Sequence, residues 1–322
     1  MQGQTRKCIR KSGAEFCLMA QYRHATPTAR NHDSMSRIDA HHHFWRIARG
    51  DYGWLTPALG TLYCDFEPAD LAPHLARHAI DRTIVVQAAP TKAETRYLLE
   101  TARATPFVAG VVGWVDFAAP GAPGVIDDLR SDPLLVGLRP MVQDIRDDDW
   151  LLDPSLAPAF NTLEASRLVF DALVLPRHLS RLLTVIERHP ALRVAIDHGA
   201  KPFIREARLD PWRAEIRAIA SHPYTMCKLS GLVTEATTDW TVAQLRPYVD
   251  HLLAAFGPAR LIWGSDWPVV NLAGGYDRWF EATLTLLEHL TESEREGILG
   301  GNAARRYGCN RIDPLIIVSM HS

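Results

Sequence analysis

Short apolar, β-branched runs recur along the chain, with amphipathic stretches between them. Runs at 37–43, 83–87, 107–115, 134–140, 167–174, 193–196, 225–229 and 260–263 are continuous rather than alternating. That is the pattern of parallel strands covered on both faces. The stretches at 67–79, 92–104, 154–165, 179–189, 211–222, 242–256 and 276–290 place apolar residues near i, i+3, i+4 spacing, which predicts helices. Punctuation agrees. Asp210-Pro211 reads as an N-cap followed by proline at the first helical position, Thr241–Gln244 and Thr291–Glu294 read as capping boxes, and Gly257 as a helix-ending residue. Pro247 lies early in its helix and should bend it at most. Strand and helix alternating in this way predict an α/β chain folded as a single (β/α)₈ barrel. A doubly wound open sheet is the competing architecture. It has no positive support, because neither a Gly-x-Gly-x-x-Gly nor a Walker-type loop is present.

Composition narrows the class. At 322 residues the chain can bury a large core, and its formal net charge of −2 favours neither nucleic acid nor an anionic membrane surface as partner. No apolar run approaches the ~20 residues of a membrane span. The five cysteines are scattered without a Cys-x-x-Cys pair, which speaks against a disulfide framework or a cysteine zinc site and fits a reducing cytoplasm. Residues 1–34 differ from the rest: basic positions are followed by an apolar stretch too short for a secretory core. They are expected to be a disordered or non-native leader ahead of Met35, with the barrel over 35–308 and a tail over 309–322. Nothing in the chain sets its oligomeric state.

The chemistry gathers where strands end. His41 and His43 sit at i and i+2 at the end of the first run, so both imidazoles leave one face of a strand. Such a pair can bind one divalent ion or share a proton-transfer task, while His42 points the other way. Active sites of such barrels lie at the C-terminal strand ends. Gln87, Trp114, Arg139, Asp197 and His198 fall at those ends, Gln143, Lys201 and Asp266 just beyond, and Asp171 and Lys228 within strands. Buried strand ends rarely carry so many ionisable groups unless these are paired. Each reading has a bland competitor. Asp197-His198 could be a structural pair, Lys228 could simply neutralise an interior carboxylate, and Arg139 divides evenly between ligand contact and structural ion pair. His178 is either a substrate contact or a helix-start residue.

Four motifs in order carry a resemblance: His-x-His at 41–43, Asp-His-Gly-Ala-Lys-Pro at 197–202, Cys-Lys-Leu-Ser-Gly-Leu-Val-Thr-Glu at 227–235 and Gly-Ser-Asp-Trp-Pro at 264–268. With Phe256-Gly257-Pro258 and Gly301-Asn302-Ala303-Ala304, the chain from about 38 to 307 resembles the amidohydrolase superfamily. Within it, the chain resembles the sugar-lactone hydrolase branch of L-fuconolactonases and L-rhamnonolactonases. The resemblance implies a catalytic centre of His41, His43, His198 and Asp266, with Asp266 and His198 catalytic. It departs from binuclear amidohydrolases: no bridging lysine follows strand 4, and strand 5 offers Asp171 where a histidine would stand. One divalent ion, Zn²⁺ or Mn²⁺, is therefore expected, or none.

The expected reaction is opening of a small-molecule sugar lactone to its acid, in carbohydrate catabolism, with Asp266 taking a proton from water. Arg139, Gln143, Asp171, Lys201, Gln87 and His178 are candidate contacts to substrate oxygens. Trp45, Trp54, Trp114 and Trp267 offer apolar faces on which sugar C–H patches stack. A metal-dependent decarboxylase and a dicarboxylate-lactone hydrolase are alternatives in the same superfamily. Both would need arginines clustered around Arg139, from Arg205 or Arg278. A non-catalytic binding barrel is the alternative from another class, and the intact His41, His43, His198 and Asp266 set argues against it.

Overall fold

A computed structural model describes residues 36–309; the expected leader 1–34, Met35 and the tail beyond Cys309 lie outside the described residues. Eight parallel strands follow one another around a single sheet: β1 (Ile38–His42), β2 (Arg82–Val86), β3 (Val108–Gly113), β4 (Leu135–Leu138), β5 (Val169–Ala172), β6 (Arg193–Ile196), β7 (Thr225–Leu229) and β8 (Leu261–Trp263). The ring closes through the residues that follow β8. Asp266 N donates to His41 O at 2.7 Å, His43 N donates to Trp267 O at 2.7 Å, and His42 bridges Trp267 in parallel fashion.

Helices α1 (Pro68–His78), α2 (Lys92–Arg103), α3 (Ala122–Leu129), α4 (Ala157–Ser166), α5 (Leu179–Arg188), α6 (Trp212–Ala220), α7 (Val242–Phe256) and α8 (Gly275–Leu286) follow the strands in turn. Short helices α9 (Glu292–Glu296) and α10 (Asn302–Tyr307) complete the described chain. Two apolar layers result. Outward strand residues such as Val85, Phe170, Cys227 and Trp263 pack against the helices, while Ile38, Ala40, Ile84, Val86, Val169, Met226 and Ile262 fill the barrel with Ala303 and Tyr307 of α10. Among the described residues no helix is long and apolar enough to cross a membrane.

The capping boxes at Thr241 and Thr291 form, and Gly257 ends α7 at φ 69° with Pro247 inside that helix. Two expectations change. Helix α3 adds to the expected set; its Pro123 falls in the first turn, where a missing N–H has no helical partner to lose. Asp210-Pro211 does not cap α6, which begins at Trp212; the Asp210 carboxylate instead pairs with Arg213 at 2.7 Å.

Candidate active site at the C-terminal strand ends

A bulge in β1 sets the first histidines. Three steps of β1, from Asp39 to His42, match two steps of β2, from Thr83 to Val85. The extra residue shifts the alternation. Ile38 and Ala40 belong to the barrel interior, and so does the next residue, His41. His42 then turns out to pack on Phe44, with ring centroids 4.6 Å apart, and its nitrogens have no partner among the described residues.

His198, just beyond β6, and Asp266, just beyond β8, arrive in unusual backbone. Asp266 has φ 59°, and His198, Ala200 and Lys201 have φ 55°, 60° and 52°. Non-glycine residues rarely hold left-handed conformations, and sites of chemistry are where such strain collects. Two glycines make room. A Cβ on Gly231 would lie 2.3 Å from His198 Nδ1, and one on Gly264 would lie 2.6 Å from His41 Cβ. Asp39 anchors the Asp266 loop to β1: it accepts from Ser265 N at 2.8 Å and from the Tyr276 hydroxyl at 3.2 Å, and burial pushes it up to about 6.

These elements bring three imidazoles to one carboxylate oxygen. Asp266 Oδ1 lies 3.4 Å from His43 Nε2, 3.7 Å from His41 Nε2 and 3.9 Å from His198 Nε2, with all four residues buried. Burial raises the Asp266 pKa, but His198 foremost, then His43 and His41, hold it well below the usual carboxylate range. Burial lowers His198 to about 4 against the pull of Asp266, and takes His41 well below 6.5 against the pull of Asp197.

The donor set fits a metal ion. His43 Nδ1 lies 2.7 Å from Val86 O, a carbonyl that can only accept, so the ring proton sits on Nδ1. That leaves Nε2 facing the Asp266 carboxylate at 3.4 Å, and two such acceptors need a cation or a proton between them. Donor atoms around a tetrahedral ion with ~2.0–2.1 Å bonds stand ~3.4 Å apart, near the spacing found. His198 Nδ1 meets Ser230 Oγ at 3.0 Å, the outer-shell contact that typically orients a ligating ring. His41, His43 and Asp266 form one group able to hold an ion, and His41, Asp197 and His198 form another.

Below the imidazoles runs a charged network. Lys228 Nζ pairs with Asp171 Oδ2 and with Asp197 Oδ1 at 3.1 Å, and lies 3.2 Å from His41 Nδ1. Tyr307 donates to Asp171 at 2.8 Å. Burial pushes Asp171 up to about 6 against the pull of Lys228, while Lys228, His41 and Arg139 outweigh burial and hold Asp197 well below its ordinary value. Arg139 donates to Gln87 O and meets Asp197 Oδ2 at 3.3 Å and His41 Nε2 at 3.4 Å.

The other nominated residues divide. Gln87 is buried and donates to Arg139 O at 2.7 Å. Its Oε1, Gln143 Oε1 and Arg139 Nε have no partner among the described residues. Lys201 follows His198 at the rim, and Trp54 and Trp114 are half-buried. Four placements correct the expectation of ligand contact. Asp171 is committed to Lys228 and Tyr307. His178 is fully buried, with Nδ1 taking the Leu175 amide at 3.2 Å, which makes it a helix-start residue. Trp45, 0 % exposed, packs against Trp54 and Phe66, and Trp267, 2 % exposed, against Phe44 and Phe66, so neither presents an open face. The arginine cluster that the decarboxylase and dicarboxylate alternatives would need does not gather around Arg139: Arg205 donates to Ala236 O at 3.2 Å and Arg278 to Trp240 O. Sequence reasoning left Asp39, Ser230, Gly231 and Glu235 without roles. All four lie inside or beside the quoted motifs, but only contacts across the barrel distinguish them from neighbours.

The comparisons with known proteins agree with this geometry. The chain is 47% identical over 279 residues to an L-fucono-1,5-lactonase of Burkholderia ambifaria, covering 85% of this chain and 96% of that protein. It is 38% identical over 291 residues to an L-fucono-1,5-lactonase of Burkholderia multivorans, covering 84% and 95%. A crystal structure of an amidohydrolase from Burkholderia multivorans with bound zinc superposes with a TM-score of 0.81 at 38% identity, over 85% of this chain and 99% of that one. The family model described as Amidohydrolase matches residues 38–309, and the chain belongs to that amidohydrolase family.

Proposed function

We propose that this protein hydrolyses a sugar lactone, an aldono-1,5-lactone of the kind named in its Burkholderia relatives, to the free aldonic acid in carbohydrate breakdown. The observation that carries the reading is the convergence of His41, His43 and His198 on one Asp266 oxygen, within 3.4–3.9 Å, at the strand ends of a barrel. The free thiols of Cys64, Cys227 and Cys309 fit a cytoplasmic setting.

His41, His43, His198 and Asp266 would hold one divalent ion, zinc or manganese. When bound, the ion lowers the pKa of a water molecule toward ~7 and polarises a carbonyl oxygen. The Asp266 carboxylate, ionised throughout the neutral range, orients the attacking water and accepts its proton. A carboxylate held so low is a weak base, so the proton moves readily only from a water acidified by nearby positive charge. His198, neutral above about pH 4 and oriented by Ser230, would serve as a ligand through Nε2, so the proton that Asp266 accepts is the one returned to the ring oxygen as the ester opens. Arg139 keeps Asp197 and His41 in register, and its unpartnered Nε–H is a donor for a substrate oxygen. Gln87 Oε1 and Gln143 Oε1 are unpartnered acceptors, suited to sugar hydroxyls. Leaving buried polar atoms unpaired costs about 1–3 kcal/mol each, which a polyhydroxy ligand would relieve. The half-buried Trp54 and Trp114 rings supply apolar faces for the sugar.

The decarboxylase and dicarboxylate alternatives lose their main requirement, because Arg205 and Arg278 are committed to backbone carbonyls. A panel of aldonolactones followed with a pH indicator tests the reading. The expected result is acid release, fastest for L-fucono-1,5-lactone or a close stereochemical relative. Carbon dioxide release from an aromatic acid, with no lactone turnover, would overturn it. Prolonged chelation should abolish turnover and added Zn²⁺ or Mn²⁺ restore it; full activity in metal-free protein would assign the imidazoles to hydrogen bonding and proton transfer alone.

A further inference from the structure

The loops after β5, β6 and β7 line a half-open pocket of about 330 Å³. Its charged side chains are not equivalent. Arg177 is paired with Asp148 at 2.6 Å, Arg205 with the Ala236 carbonyl, and Glu206 with Arg208 at 2.9 Å. Lys201 and Glu235 have only each other, Nζ to Oε1 at 3.9 Å, and neither side chain makes a hydrogen bond among the described residues. Both are mostly shielded, at 21% and 28% exposed.

The pair borders the reacting centre. Lys201 is three residues beyond His198, at the end of the left-handed run, and its charge acts on that imidazole. Glu235 feels both Lys201 and the Asp266 carboxylate, and burial raises its pKa. A separation of 3.9 Å is too long for a hydrogen bond, yet a hydroxyl oxygen ~2.8 Å from each partner would span it. The ammonium would donate to that oxygen and the carboxylate would accept its proton, which uses an alcohol both as acceptor and as donor.

We propose that Lys201 and Glu235 form a hydroxyl clamp that binds the sugar part of the substrate and selects neutral polyhydroxy lactones over lactones bearing a second carboxylate. This inference rests on the lactonase reading and names what sets its substrate class. A carboxylate placed in the same cavity would meet Glu235, like charge against like charge in a partly shielded site. The clamp touches the part of the substrate that does not react, so it acts as a specificity determinant and not as a group in the bond-breaking step.

Two substrates separate this from a structural role: an aldono-1,5-lactone and δ-valerolactone, a six-membered lactone without ring hydroxyls. Glu235→Gln and Lys201→Met should each lower kcat/KM for the aldonolactone by about 10- to 100-fold, mainly through KM, the loss expected for a charge-assisted hydrogen bond. Turnover of δ-valerolactone should change less than about threefold, and Glu235→Gln should narrow discrimination against a carboxylated lactone. Equal losses on both substrates, or no loss on either, would overturn the clamp. Absence of lactone turnover in the unaltered protein is a different result: it would remove the lactonase reading, whatever the variants do.

Discussion

The two ends of the barrel are built from the same strands and do opposite things. Along β5 the inward residue changes from Val169 to Asp171, along β6 from Ala195 to Asp197, and along β7 from Met226 to Lys228. One pleat toward the strand C-terminus converts packed hydrocarbon into a charged network. The floor is closed by Ala303 and Tyr307, which stack under Ile38, Ile84, Val169 and Ile262. The mouth holds left-handed His198 and Asp266, unpartnered Arg139, Gln87 and Gln143 atoms, and the loose Lys201–Glu235 pair. The floor is packed hydrocarbon, whereas the mouth leaves strain and open hydrogen-bonding capacity for something outside the chain to use. Stability and chemistry are thus separated along each strand by about two residues.

Substitutions at the two ends should behave differently. The largest effect is expected for Asp266→Asn, which keeps the shape and removes the proposed base: kcat should fall by about 10²–10⁴-fold, with the circular dichroism spectrum unchanged. Turnover near the native level would remove Asp266 from that role. Gly231→Ala comes next. The methyl group would enter the His198 ring at a position with φ 60°, and a displaced imidazole should lower kcat about 10²-fold. Ser230→Ala withdraws only the contact that orients His198, so metal affinity, read by competition with a chelating dye, should weaken about 10- to 100-fold.

At the floor the pattern reverses. Ile84→Ala should destabilise the fold by about 2–5 kcal/mol in urea denaturation and leave kcat of the folded enzyme nearly unchanged. A large kcat loss there would mean that floor packing tunes the mouth. The smallest effect is a pH slope. Burial holds His42 well below 6.5, so on acidification through that value the unfolded chain takes up a proton that the folded chain does not, and stability falls. Asp39, pushed up to about 6, and Glu94, pushed up to about 7, work in the opposite direction below those values, so the histidine effect is read as the difference between His42→Leu and the native protein between pH 6 and 7. The melting temperature of His42→Leu should drop less than that of the native protein over that interval.

The order of elements was legible because parallel strands and their covering helices have distinct apolar periods, and eight runs in alternation leave few ways to fold. The pairing of His41 with His43 was legible for a related reason, since residues two apart in extended chain share a face. Helix α3 was hidden by glycine and proline in its first turn, where they do little harm. Which tryptophans are core, and that His178 caps its own helix start while Asp171 is bound to Lys228, depends on contacts between residues far apart in the chain.

The amino-acid sequence by itself determined the barrel, the strand ends where chemistry collects, and the identity of the four central side chains. These follow from local period and motif. Tertiary structure alone decided the rest: the β1 bulge that brings His41 inward, the carbonyl of Val86 that sets the His43 tautomer, the committed arginines, and the Lys201–Glu235 gap. Each depends on distances between separate strands, and no local pattern encodes a distance across a closed barrel.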